Sequence, residues 1–237
     1  MGLRRKPLME EWLTSNLAQM SLKPNHLAYL KARGVTKLPY SIDFKTWSID
    51  LITEDAPCER FRSAFGNKGE KLKDQFIIPI RCPRGRMIGF EARSFKEDGS
   101  KIVRKYNLDR GEWNPYLLGS EDVFKALWEG DNIWIVEGVF DLVALKRVIP
   151  APTAVGSTMR AGMDNLTLEF IKRYYIPTTS IFVCYDNDET GRNKAGLLVN
   201  QLKKLGVNAY DWKYRGKDPN EVWQQGGDSA LMKNFLY

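Results

Sequence analysis

Three cysteines and one histidine are all that 237 residues supply for building zinc sites or disulfide frameworks. Cys58, Cys82 and Cys184 are dispersed, no C-x-x-C pair occurs, and His26 stands alone, reading as a helix-surface residue rather than a ligand. A structural zinc site needs four closely spaced nitrogen or sulfur ligands, so none is expected. Sparse, unpaired cysteines fit a reducing cytoplasm better than a secreted, cross-linked scaffold. No apolar run reaches the roughly 20 residues that a spanning helix requires, so no membrane partner is expected. The basic start, Met1 to Pro7, has no apolar segment behind it of the kind a signal peptide carries. No G-x-x-x-x-G-K-[ST] loop of the kind an ATPase segment carries occurs. Internal repeats and low-complexity segments are also missing.

What is present is a globular composition. Hydrophobic residues make up 43% of the chain, enough for a real core in one compact unit or two small domains. Lys and Arg number 36 against 29 Asp and Glu, a formal charge of +7 with a pI near 9.2. A modest positive balance fits a polyanionic partner.

The most informative stretch runs from Asn132 to Asn200. Two segments there share one pattern. Ile133 to Val136 is an apolar run ending in Glu137-Gly138, and Ile181 to Tyr185 is another, ending in Asp186-Asn187-Asp188 with Gly191 beyond it. Short β-branched and aromatic runs of this kind read as buried parallel strands. Helical patterns follow each, over Asp141 to Val148 and Arg192 to Leu205. The carboxylates are therefore expected at strand C-terminal ends, where open α/β sheets place their sites.

Hard oxygen donors converging at one sheet edge repel one another unless a cation neutralises them, and Mg²⁺ suits a few carboxylates with water and phosphate completing its shell. The plainer alternative is that each acid caps the helix after it, as Asp and Asn readily do. Two such acid sites about fifty residues apart, each with its glycine, favour the metal site. The E-G-x-x-x-D and D-x-D-x-x-G pair resembles the Toprim domain, shared by primases, type IA and type II topoisomerases and some nucleases. Here the likeness covers about residues 131–225.

Along the rest of the chain, residues 8–33 read as helical, with Leu8, Trp12, Leu13, Leu17 and Met20 at helical spacing, a break at Lys23-Pro24, and Gly34 as a stop. Residues 39–75 carry little signal beyond a loop from Phe65 to Lys73. Strand signals at Gln75 to Ile80 and Met87 to Arg93 flank a turn at Cys82-Pro83-Arg84-Gly85 and read as an antiparallel hairpin. Arg81, Arg84, Arg86, Arg93, Lys96, Lys101, Arg104, Lys105 and Arg110 crowd about thirty residues, with Tyr106 and Trp113 in or beside the run. Such a mixture suits a phosphate backbone with stacked bases, or else a merely solvated, charged hairpin. Tyr116 to Gly119 reads as a link and residues 121–128 as a helix. Thr153 to Val155 reads as a short strand and Gly156-Ser157-Thr158 as a tight loop, either a phosphate cradle or a plain turn. Val207 to Trp212 is a further strand candidate. Pro219 pre-sets a following helix, for which Asp218 is a candidate N-cap.

The order of these parts extends the resemblance to about residues 27–225 and narrows it to the catalytic core of bacterial and phage primases. The phrase YLKARGVT resembles the helix end that opens that core. The pattern on Gly85, Gly89, Phe90 and Arg93, then Lys105, Tyr106 and Asn107, is similar to the basic subdomain preceding Toprim there. The resemblance implies an α/β Toprim fold, Rossmann-like, with a mainly parallel sheet flanked by helices, behind a smaller α+β basic subdomain. Expected limits are 1–126 for the basic part and 127–237 for Toprim with its C-terminal helix. It implies Glu137, Asp186 and Asp188 as catalytic, these with Asp141 and Asp218 as ligands of Mg²⁺ or Mn²⁺. Arg86, Arg93, Lys105, Tyr106, Asn107, Ser157 and Thr158 become nucleic-acid or nucleotide contacts. The family's D-P-D reads Asp218-Pro219-Asn220 here, which weakens a further metal at that end. The implied activity is metal-dependent synthesis of short RNA primers on single-stranded DNA from ribonucleoside triphosphates, for phage or mobile-element replication in a bacterial or host cytoplasm. A replicative helicase or a separate template-recognition subunit is the implied partner, since the chain shows neither a zinc ribbon nor a helicase segment. Two other readings remain open: a catalytically reduced single-stranded DNA-binding module, and a Toprim nuclease.

Overall fold

In the computed structural model, residues 8–35, 43–95, 101–108, 115–160 and 162–236 are described. They fall into two units. The first takes residues 1–30, 42–80 and 86–110, the second 31–41, 81–85 and 111–237. The expected boundary near residue 126 thus moves to about 111. The second unit also claims two short pieces from the N-terminal half, the end of the second helix and the turn near Gly85.

The first unit is built on a four-stranded sheet in the order β1 (Lys45–Thr46), β2 (Phe76–Arg81), β3 (Met87–Phe95), β4 (Lys101–Asn107). β1 and β2 are antiparallel, as are β3 and β4, which pair from Gly89 opposite Asn107 to Phe95 opposite Lys101. The short link between β2 and β3 leaves room only for an antiparallel turn. Gly85 closes it at φ 76°, donating its N–H to Cys82 O. Helices α1 (Met9–Gln19), α2 (Pro24–Ala32) and α3 (Glu59–Phe65) accompany the sheet. The α1 stripe is buried at Trp12, Leu13, Leu17 and, just past the helix, Met20, whereas Leu8, counted in the same spacing, precedes the helix as its exposed N-cap. Its first turn is closed by Leu8 N–H donating to Glu11 Oε2 at 2.9 Å. An aromatic core of Trp12, Trp47, Phe61, Phe65, Phe90 and Tyr106 fills the unit. His26 is not on the surface: it is 2% exposed, and its Nδ1 lies 2.7 Å from Thr46 Oγ1. Lys96, Arg110 and Trp113 lie outside the described residues, as does the basic start of the chain.

The second unit contains α4 (Ser120–Glu129), β5 (Ile133–Val136), α5 (Val139–Leu145), β6 (Ala154–Ser157), α6 (Asn165–Tyr174), β7 (Ile181–Cys184), α7 (Glu189–Lys204), β8 (Ala209–Asp211) and α8 (Pro219–Phe235). The strands are all parallel, in the order β6-β5-β7-β8. Because side chains alternate across a strand, Ile133, Ile135, Ile181 and Val183 face one layer, sharing a core with α4, α6 and α7. On the other face Trp134 packs on Phe182, Trp212 and the α8 residue Phe235. The helix pattern expected over Asp141 to Val148 begins earlier, at Val139, and ends at Leu145. Gly156 and Ser157, read as a loop, belong to β6 and pair with Ile135 and Val136. α8 is not one straight helix, since Gly227 breaks it at φ 64°. Among the described residues no helix is long and apolar enough to cross a membrane.

Candidate active site

From β5 the chain runs out to β6, and from β7 it runs the opposite way to β8. The loops after β5 and β7 therefore diverge, which opens a crevice at the C-terminal ends of two adjacent strands. Glu137 follows β5 and Asp186 follows β7 by two residues, so both acids stand at this switch point.

Three more acids are held by helix starts. Asp141, in the first turn of α5, accepts from Gly138 N–H at 3.1 Å and from Asn220 N–H at 3.2 Å. Asp188 caps α7 by accepting from Gly191 N–H at 2.8 Å, and Asp218 caps α8 by accepting from Glu221 N–H at 2.7 Å. Capping is thus real at Asp188 and Asp218. It does not exhaust them, because a carboxylate that accepts one amide keeps further lone pairs for other partners.

The electrostatics show crowding of like charge. Burial pushes the Asp141 carboxyl well above the usual carboxylate range, and the charges of Asp218 and Asp186 push it further. A hydrogen bond between the Asp141 and Asp218 side chains favours the protonated form as well. The same field reaches two neighbours. The Cys184 thiol is raised by burial and then by Asp141, Asp186, Asp211 and Asp218. The Tyr214 hydroxyl is raised by burial, then by Cys184, Asp141, Asp186 and Asp218. Tyr185 is pushed up to about 12, chiefly by burial with Glu137 adding to it, while its contacts with Thr158 and Gly162 work against the rise.

These groups fit a divalent cation by donor chemistry: they are hard carboxylate oxygens, and those of Asp186 and Asp218 disfavour the ionised form of Asp141. Among the described residues no group of three or more His, Cys, Asp or Glu is gathered closely enough to hold an ion by itself. Mg²⁺ does not demand that, since one or two carboxylates with water and substrate phosphate complete its octahedron.

Ser157 and Thr158, the residues of the expected phosphate cradle, are held by hydrogen bonds within their own unit. They are 0% and 2% exposed. Ser157 Oγ donates to Glu137 O at 2.9 Å and accepts from Met159 N–H at 3.1 Å, tying the β6 end to the acid's backbone. Met159 itself sits at φ 57°, a left-handed conformation that a methionine rarely adopts. Residues that pattern reading missed are Asn187, Tyr185, Tyr214 and Arg33. Asn187 N–H donates to Lys217 O, and its Nδ2 reaches Tyr214 O and Gly216 O at 3.1 Å each. Tyr214 OH donates to Tyr185 O at 2.9 Å or to Lys217 O at 3.0 Å. Arg33 Nη1 donates to Asn220 Oδ1, while Asn220 Nδ2 donates back to Arg33 O. The R-G pair at the α2 end was the one signal available for Arg33.

The basic candidates lie in the first unit and divide by exposure. Arg86 is exposed and bidentate on Glu10. Arg93 is buried, its Nε 2.6 Å from Glu91 Oε1, with Lys105 Nζ 3.4 Å from the other Glu91 oxygen. Tyr106 offers no stacking platform: it is 5% exposed, packed on Phe61, Phe65 and Phe90. Alternation along β4 explains this, since Lys105 and Asn107 face outward and Tyr106 inward.

Residues 134–223 match the family described as Toprim-like. The second unit is a Toprim-like domain. Relatives of the chain are DNA primases. It is 31% identical over 163 residues to the DNA primase of Aquifex aeolicus, covering 66% of this chain and 31% of that protein. Against the DNA primase of Escherichia coli K12 it is 27% identical over 170 residues, covering 70% and 28%. The chain thus spans about a third of the length of these relatives. Among solved structures, the zinc-binding and RNA polymerase domains of the Aquifex aeolicus primase align with a TM-score of 0.68 at 22% identity, covering 96% of this chain and 61% of that one. A DNA primase domain from Pseudomonas aeruginosa aligns with a TM-score of 0.67 at 19% identity, covering 97% and 78%. The Toprim-like unit, with its parallel sheet between helical layers, has the α/β fold of these primase cores.

Proposed function

We propose that the chain is the catalytic core of a DNA primase, making short RNA primers on single-stranded DNA. The observation that carries this is the Asp141 carboxyl, buried at the switch point of a Toprim-like sheet and pushed upward by burial and by the charges of Asp218 and Asp186. Relatives that are DNA primases support the reaction class, and one solved structure of similar fold is a primase catalytic domain bound to single-stranded DNA. In this reading Glu137, Asp186 and Asp188 are the catalytic acids, with Asp141 and Asp218 completing the ligand set. Bound there, Mg²⁺ or Mn²⁺ supplies charge neutralisation for triphosphate oxygens and Lewis acidity at the α-phosphorus. Glu137 is the group assigned to take the proton from the attacking 3′-hydroxyl. Ser157 Oγ holds the Glu137 backbone carbonyl, which ties the main chain that bears this acid to the end of β6.

Lys105 and Asn107, outward on β4, are assigned to template or nucleotide. Arg86, bidentate on Glu10, joins them only by exchanging that partner for phosphate. Arg93 orients Lys105 through Glu91. Partners are single-stranded template, ribonucleoside triphosphates and a helicase or template-recognition subunit. The test is incubation with single-stranded DNA, labelled ribonucleotides and Mg²⁺ or Mn²⁺. Primers of a few nucleotides support the reading. Cleavage of the DNA would make the chain a nuclease, and binding without either product would make it a binding module.

A further inference from the structure

We infer that Arg192, Arg215 and Lys217 form a cationic rim on the acid loop and bind the triphosphate of the incoming nucleotide. The inference rests on the polymerase reading and deepens it by naming how the same site holds its substrate. Its basis is the way two loops are laced together. Asn187 lies between Asp186 and Asp188 and takes hydrogen bonds from, or gives them to, both loops. Its N–H donates to Lys217 O at 2.6 Å, and its Nδ2 donates to Tyr214 O and Gly216 O at 3.1 Å each. Arg192, from the first turns of α7, donates to Asn187 O and to Asn187 Oδ1 at 3.3 Å. Tyr214, buried beneath, holds Tyr185 O and Lys217 O. Arg215 N–H is fixed on Asn234 Oδ1 and Lys217 N–H on Glu221 Oε2. The backbone bearing Arg215 and Lys217 is thus registered on the backbone bearing Asp186 and Asp188.

All three basic side chains are exposed, and among the described residues none makes an ion pair with a carboxylate. That is notable beside five acids, and it contrasts with Lys213 in the same loop, which pairs with Asp211 at 2.6 Å. Cations left unpaired at the rim of an acidic crevice suit a ligand that is anionic on its outer side and reaches the carboxylates through a cation on its inner side. A triphosphate has this geometry, and arginine and lysine supply charge-assisted hydrogen bonds to its oxygens.

The experiment measures affinity for a fluorescent ribonucleoside triphosphate, and separately for a single-stranded oligonucleotide, in Mg²⁺ buffer at fixed salt. The proteins are wild type, Arg215→Ala, Lys217→Ala, Lys217→Glu and the conservative Lys217→Arg. Loss of about tenfold in triphosphate affinity for each alanine variant, more for Lys217→Glu and near wild type for Lys217→Arg, with oligonucleotide affinity and thermal midpoint unchanged, is the expected result. Unchanged triphosphate affinity in all variants overturns the rim while leaving the polymerase reading intact. Loss of oligonucleotide affinity alone also overturns it, assigning these cations to the DNA backbone. A wild type that binds no triphosphate overturns both, and a parallel Asp186→Asn protein that loses the triphosphate shows that the acidic site itself is engaged.

Discussion

The amide N–H of Asn220 donates to Asp141 Oδ1 across 3.2 Å, joining the first turn of α8 to the first turn of α5. The Asn220 side chain meanwhile clamps Arg33 from both ends, accepting from its guanidinium and donating to its carbonyl. A carboxylate at this position could not donate to Arg33 O, which gives the asparagine a reason of its own. Asn220→Ala should therefore lower stability by roughly 1–3 kcal/mol, as buried partners lose their hydrogen bonds. Asn220→Asp should keep the Arg33 guanidinium contact and lose the carbonyl one. Urea unfolding of the two variants checks this, and equal midpoints for wild type and Asn220→Ala would remove the clamp from the account.

Clustered carboxylates predict a trade between metal binding and stability. Glu137→Gln and Asp186→Asn should each weaken Mn²⁺ binding at least tenfold in a direct titration. In chelator they should fold as well as wild type or better, because Asp186 is one of the charges that disfavour ionised Asp141. Undiminished Mn²⁺ affinity in both proteins would dissolve the proposed site.

How far the chain announces all this depends on sequence distance. β5 and β7 are apolar runs ending in acids, so their place and their carboxylates could be read directly. Asp141 and Asp218 needed the resemblance, and Asn187 carries no local signal because its partners, Tyr214 and Gly216, lie about thirty residues on. α3 and α6 went unread: α3 is short, and the Asp164 cap of α6, which accepts from Thr167 N–H at 2.9 Å, is a weak signal by itself. His26 was misjudged for a similar reason, since nothing nearby in the chain shows that Thr46 and Phe76 enclose it.

Gly191 gives a steric prediction. A Cβ there would stand 2.0 Å from Asp186 O, a backbone atom that cannot swing away. Gly191→Ala should push α7 off the acid loop, cost about 1–3 kcal/mol and lower Mn²⁺ affinity with it. Gly196, which has open space at its Cβ, is the control on the same helix. Gly196→Ala should leave metal binding untouched, and a Gly191→Ala protein that titrates like wild type would mean the helix start does not set the acid geometry.

His26 predicts a pH dependence. Burial, the largest cause, lowers its pKa from the ordinary 6.5, with Lys23 acting in the same direction and Asp74 against it. A depressed folded-state value means the unfolded chain binds the proton more readily. The stability from neutral His26 is therefore complete above pH 6.5 and is lost as pH falls below it. Thermal midpoints from pH 7.5 down to pH 5 should decline in wild type and decline less in His26→Gln. Parallel curves for the two proteins would mean that His26 does not carry the dependence.

The basic face of the first unit yields a prediction in which two neighbouring residues part company. Arg93 and Lys105 share Glu91, yet their side chains are 7% and 34% exposed, while Glu91 is 2% exposed. Removing one partner of a buried ion pair costs far more than the pair contributes, because the remaining charge stays desolvated. Arg93→Ala leaves Glu91 with only the longer Lys105 contact and should lose roughly 3 kcal/mol or more. Any fall in DNA binding by that variant then reflects a damaged unit. Lys105→Ala leaves the shorter Arg93 contact in place and should unfold near the wild-type midpoint, with weaker binding of single-stranded DNA and a log–log salt slope smaller by about 0.7, one phosphate contact. Arg93→Met with Glu91→Leu, which removes both charges together, should recover most of the lost stability. If Lys105→Ala binds single-stranded DNA with the wild-type salt slope, β4 does not face the nucleic acid. If Arg93→Ala is as stable as wild type, the Glu91 pair is too well hydrated to hold the unit together.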